Sequence, residues 1–108
     1  MYTIQKSVSV AANSSVNNIL AGEIFEFVPE ELDINILLTQ SATGLKVDIF
    51  ADSDSVATNL EPNISTGNPI LPDDLAASFG VEEKTRLSIK VTNTTGGALT
   101  LYYGVRGE

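Results

Sequence analysis

At 108 residues the chain has room for one domain, residues 1–108, that buries about 65% of its unfolded surface. Fourteen Asp and Glu against six Lys and Arg give a net charge of −8, which disfavours nucleic acid and anionic membrane as partners. Cysteine and histidine are both absent, which removes disulfides, zinc–thiolate sites, thiol nucleophiles, imidazole bases and every Ser–His–Asp triad.

Tyr2 to Val10 carries apolar residues at most even positions and reads as a first strand, interrupted on that face by Lys6. No charged-then-apolar leader pattern follows Met1, and no apolar run approaches the ~18 residues of a membrane span. Ala11 to Ser15 is a polar turn, Val16 to Leu20 a short strand, and Gly22 allows a bend. Glu23 to Val28 is strand-like with apolar residues on both faces, and Pro29 breaks it.

Leu32 to Thr39 and Leu45 to Ala51 alternate around the turn Gln40–Gly44, which predicts a hairpin. Asp52 to Gly67 has little periodicity, although Val56 to Leu60 is compatible with a strand. Residues 73–79 are the one helix candidate: two Asp suit a helix N-terminus, Leu75 and Phe79 stand at i, i+4, and Gly80 suits a cap. Such a helix would plug one end of the core. The clearest pattern comes last. Arg86–Thr92 and Ala98–Arg106 alternate without fault around Asn93–Gly97, predicting a second hairpin with Leu87, Ile89, Val91, Leu99, Leu101, Tyr103 and Val105 turned inward.

The expected fold is therefore all-β: a single antiparallel sandwich of seven or eight strands, Greek-key or jelly-roll-like, with one short helix near 73–79.

Chemistry is sparse. Asp48, Asp52 and Asp54 approach a calcium loop, but Val56, Ala57 and Asn63 stand where its later oxygen ligands and glycine belong, and a capped turn explains the same residues. Asp73 and Asp74 are adjacent and cannot flank one bond. No nucleophile–base pair emerges, so no catalytic residue, cofactor or metal is assigned and an enzyme is not expected. The informative oddity is an apolar surplus on the outward phase: Leu37, Phe50, Tyr102 and one face of the segment holding Phe25 and Phe27. A strand covered on both faces, a ligand groove or a subunit interface would each account for it. The interface is the reading adopted, with Phe25, Phe27, Leu37, Phe50 and Tyr102 as its apolar residues and Arg86 and Lys90 as outward charges beside them.

Three phrases carry a family resemblance: Leu20-Ala21-Gly22 leading into Phe25-Glu26-Phe27, then Asn68-Pro69-Ile70-Leu71-Pro72-Asp73-Asp74-Leu75-Ala76, then Leu87 to Ala98. With them the chain resembles small β-sandwich coat and decoration proteins of bacteriophages and related viruses. That resemblance implies a virion location, a homo-oligomer with a trimer favoured, and other capsid proteins as partners. It supplies no active-site residues. The alternative is a non-catalytic carbohydrate-binding or adhesion module, calcium-assisted at Asp52 and Asp54.

Overall fold

The computed structural model describes residues 2–64 and 75–108. These form nine strands and one 3-10 turn: β1 Tyr2–Val10, β2 Ser15–Val16, the turn Ile24–Glu26, β3 Leu32–Gln40, β4 Leu45–Ala51, β5 Asp54–Leu60, β6 Asn63–Ile64, β7 Leu75–Val81, β8 Leu87–Asn93 and β9 Leu99–Gly107. Two sheets pack face to face. The first runs β1-β9-β3, with β7 and the short parallel β6 sharing the far side of β3; the second runs β2-β8-β4-β5. The eight antiparallel strands thus follow the orders 1-9-3-7 and 2-8-4-5, a jelly roll. The all-β sandwich read from the sequence is the fold observed.

Alternation works because a strand's side chains point to opposite faces in turn. Leu87, Ile89 and Val91 from β8, Leu45, Val47 and Ile49 from β4, Ile34, Ile36 and Leu38 from β3, and Leu101, Tyr103 and Val105 from β9 form one buried cluster between the sheets. Of the inward residues expected in the last two strands, all are buried except Leu99, which is half-buried.

The partners of these strands differ from expectation. Neither expected hairpin exists. β8 pairs with β2 and β4, and β9 pairs with β1 and β3, so Asn93–Gly97 is an arch carrying the chain from one sheet to the other. Gln40–Gly44 is a second arch, from β3 to β4. The hairpin among these segments is β4–β5, turning at Asp52, whose φ is +54°.

Both arches depend on a polar residue placed in the inward phase. Gln40 continues the row Ile34, Ile36, Leu38; its amide donates to Pro62 O at 2.6 Å and accepts from Leu45 N–H at 3.0 Å. Asn93 continues the row Leu87, Ile89, Val91. It donates to Val10 O at 3.0 Å and Gly97 O at 2.8 Å, and accepts from Thr95 N–H at 2.9 Å. Both amides are buried at the foot of largely exposed arches, where a polar side chain needs partners, and the backbone groups of the arches and their neighbours supply them.

The helix expected near 73–79 is not formed where it can be checked. Asp73 and Asp74 lie outside the described residues, and Leu75–Val81 is strand β7, paired with β3 from Leu32 to Leu37. A buried strand needs backbone partners on both sides, and that requirement overrides a weak local helix signal. The plug comes instead from the segment read as a strand over Glu23–Val28. It folds into the 3-10 turn, with Leu20 and Phe25 fully buried beneath it.

Candidate docking surface

The outer face of the second sheet collects four of the seven residues singled out from the sequence. Phe27 is held beside the start of β8 by a single antiparallel bridge to Arg86. That bridge is flanked by bonds from Val28 N–H to Thr85 O at 3.0 Å and from Lys84 N–H to Val28 O at 2.8 Å. Directly paired residues share a face, and Arg86 precedes the inward Leu87, so Phe27 and Arg86 both point outward. Phe27 is 60% exposed while its neighbour Val28 is buried. Further along the same face, Phe50 stands opposite Ser88, Asp48 opposite Lys90, and Lys46 opposite Thr92. Phe50 and Lys90 are half-buried.

Charges on this face are matched locally. Arg86 Nη2 lies 3.3 Å from Glu26 Oε2, Lys46 Nζ lies 3.1 Å from Glu61 Oε1, and Lys90 faces Asp48. Glu26 also accepts the Gly22 N–H at 3.0 Å. That bond is the main reason its carboxyl sits below the ordinary value; burial opposes the shift and Arg86 adds to it. The face is thus close to neutral on a chain of net charge −8.

The remaining three residues lie elsewhere. Phe25 is 0% exposed in the core, packed where a side chain on Gly107 would otherwise be, so it is not an interface residue. Leu37 does face away from the central cluster, as its phase predicts, but it is 2% exposed within this chain and is likewise unavailable. Tyr102 is half-buried on the outer face of the first sheet, opposite Thr39. Sequence reasoning passed over Ile24, exposed at 45% on the turn leading to Phe27, because a strand reading of Glu23–Val28 could not separate Phe25 from its neighbours.

The Asp cluster has structural tasks. Asp48 Oδ1 accepts the Asn59 N–H at 2.8 Å, and Asp52 Oδ1 accepts the Arg86 N–H at 2.9 Å. Among the described residues no three acidic side chains converge as a metal site. One hollow among the described residues, about 370 Å³, is lined by Gln40, Thr43, Glu61, Pro62, Asn63 and Ile64 and presents no aromatic ring. No described helix is long and apolar enough to cross a membrane.

No protein-family model matches the chain, and no curated protein matches its sequence. Solved structures do share its architecture. The mitogen from Yersinia pseudotuberculosis aligns with a TM-score of 0.59 at 9% identity, over 96% of this chain and 84% of that one. PliG of Salmonella Typhimurium, a periplasmic inhibitor of g-type lysozyme, aligns at 0.52 and 11%, over 98% and 87%. The infectious bursal disease virus VP2 subviral particle is a looser likeness, at 0.44 and 14%, over 96% of this chain and 31% of that one. The likeness of the first two is one of fold alone: the jelly-roll-like β-sandwich described above.

Proposed function

We propose that the chain is a virion structural subunit, a coat or decoration protein that acts by self-association and docking to a shell and performs no catalysis. The observation that carries this reading is Phe27, a large apolar side chain 60% exposed and bridged to Arg86 at the margin of the second sheet's outer face. Exposed aromatics beside Arg are the anchors that dominate protein interfaces. The locally matched charges around it support the same reading. Copies of a −8 chain repel, and a near-neutral face is where they approach at least cost. A contact between this face and a different face of the next copy closes into a ring, and the trimer is the closed form we favour.

The test is solution mass by light scattering, read beside binding to purified shells of major capsid protein. The double variant Phe27→Ser/Phe50→Ser should lower both affinities at least tenfold while the chain stays folded, its melting temperature lowered by the several degrees that loss of the half-buried Phe50 costs. A wild-type chain that stays monomeric at high concentration and binds no shell overturns the proposal. Saturable binding to a glycan, lost in the same variant, would place Phe27 and Phe50 in a carbohydrate site instead.

A further inference from the structure

The four edges of the two sheets are not equally protected. Unpaired edge strands are templates for a further strand, and proteins blunt them by shortness, bulges or charge. Among the described residues, β2 is two residues long. β5 carries two register shifts and a left-handed Asn59 at φ +53°. The far side of β3 is split between antiparallel β7, itself shifted, and parallel β6. β1 differs. It runs nine residues in unbroken register with β9 and has no described strand on its other side.

The one blunting feature of β1 is Lys6, a charge in the inward phase opposite Tyr103. It is neutralised within the chain, because its Nζ is bound by Glu23, and this bond raises the lysine's pKa. Around Lys6 the strand is symmetric in chemistry. Thr3, Gln5, Ser7 and Ser9 are polar and exposed, while Tyr2, Ile4, Val8 and Val10 lie in the inward phase.

We infer that β1 is a self-pairing edge, joining β1 of a second copy antiparallel about a two-fold axis through Lys6. In that register Tyr2 falls opposite Val10 of the second copy, Thr3 opposite Ser9, Ile4 opposite Val8 and Gln5 opposite Ser7. Apolar thus meets apolar and polar meets polar along the whole strand. At the axis the two Lys6–Glu23 pairs form a neutral square. The contact joins the two copies' first sheets into one continuous sheet. It rests on the self-associating reading above and adds a two-fold contact to the sheet-face one.

Because the chain has no cysteine, single cysteines report the register cleanly. Directly opposite residues in an antiparallel pair stand about 4.5–5.5 Å apart at Cα, within the range a disulfide spans. Lys6→Cys should therefore cross-link to itself under mild oxidation. Thr3→Cys should not, and a mixture of Thr3→Cys with Ser9→Cys should. In sedimentation, Thr3→Glu/Ser9→Lys should tighten pairing about tenfold through two cross-strand ion pairs, and Thr3→Glu/Ser9→Glu should weaken it by a similar factor. Equal behaviour of these two variants, or no cross-link at Lys6→Cys, overturns the inference. If association then survives and is abolished only by Phe27→Ser/Phe50→Ser, the assembly reading stands without the β1 contact. A wild-type monomer at every concentration removes both.

Discussion

The two ends of the sandwich are closed by different physics. At one end Leu20 and Phe25 are fully buried, Phe25 beside Leu32, Ile34 and Gly107, so closure is a matter of apolar volume. At the other the two arches lean on each other. Thr94 donates to Gly44 O from both its N–H, at 3.1 Å, and its hydroxyl, at 3.0 Å. Gln40 and Asn93 beneath them bind backbone groups from β1 to Pro62. The plugged end should respond to side-chain size, and the arched end to hydrogen-bonding pattern at constant size.

The largest expected effect tests the first half of that contrast. Phe25→Ala removes the plug and leaves a cavity beside Gly107, at a cost of about 3–5 kcal/mol in urea unfolding. Phe25→Leu, which keeps most of the volume, should recover more than half of it.

Asn93→Leu tests the second half and should cost about 3 kcal/mol, although it keeps the number and branching of heavy atoms and adds apolar surface. It strips the donor from the buried Val10 O and breaks two part-buried bonds, to Gly97 O and from Thr95 N–H. If Asn93→Leu proves as mild as Phe25→Leu, the arched end is held by packing after all and the contrast fails.

Two glycines sharpen the same comparison. A Cβ on Gly107 would come within 2.8 Å of Leu32 Cδ1 and 2.9 Å of Phe25 Cε1. Gly107→Ala should therefore cost about 1–3 kcal/mol, and Phe25→Leu in the same molecule should relieve part of that cost by making room. A Cβ on Gly44 would collide with Thr95 Cγ2, and Gly44 also sits at φ +139°, where L side chains are strained. Gly44→Ala should cost about 2–3 kcal/mol, and Thr95→Ser should not rescue it, because shrinking the neighbour leaves the backbone strain in place. Thermal melts of the two single and two double variants decide this.

How much of this could be seen in the sequence follows from what a period of two encodes. It assigns faces, which is why the rows Leu87, Ile89, Val91 and Leu101, Tyr103, Val105 were legible residue by residue. It says nothing about neighbours, so a turn rich in Gly and Asn between two alternating runs was read as a hairpin when it was an arch. The distinguishing cue was present. Asn93 and Gln40 are polar residues in the inward phase at the last position of their strands, where a hairpin would leave them unsatisfied and an arch supplies backbone partners. The docking face was legible in part for the same reason: Phe50, Arg86 and Lys90 follow phase. Phe25 and Phe27 did not separate, because the segment that carries them is not a strand and has no period to read.

The smallest expected effect concerns a charge clasp that ties the plug segment to the docking face. Glu26 accepts the Gly22 N–H and pairs with Arg86, and its carboxyl is held below the ordinary value of 4.5, chiefly by the Gly22 bond. A depressed carboxylate stabilises the fold above its unfolded value and loses that contribution as pH falls through its lower folded value. Wild type should therefore exceed Glu26→Gln in melting temperature at pH 7, and the gap should close on acidification below about 4.5. The Gln variant keeps an acceptor for Gly22, so the gap reports the charge alone, and for a carboxylate paired with an exposed Arg86 it should be about a degree or two at most. A gap that stays constant down to pH 2.5 would mean that the Glu26 carboxylate contributes nothing through its charge. The plug would then be held by Leu20 and Phe25 without electrostatic help, and Arg86 would be free to pair across an interface.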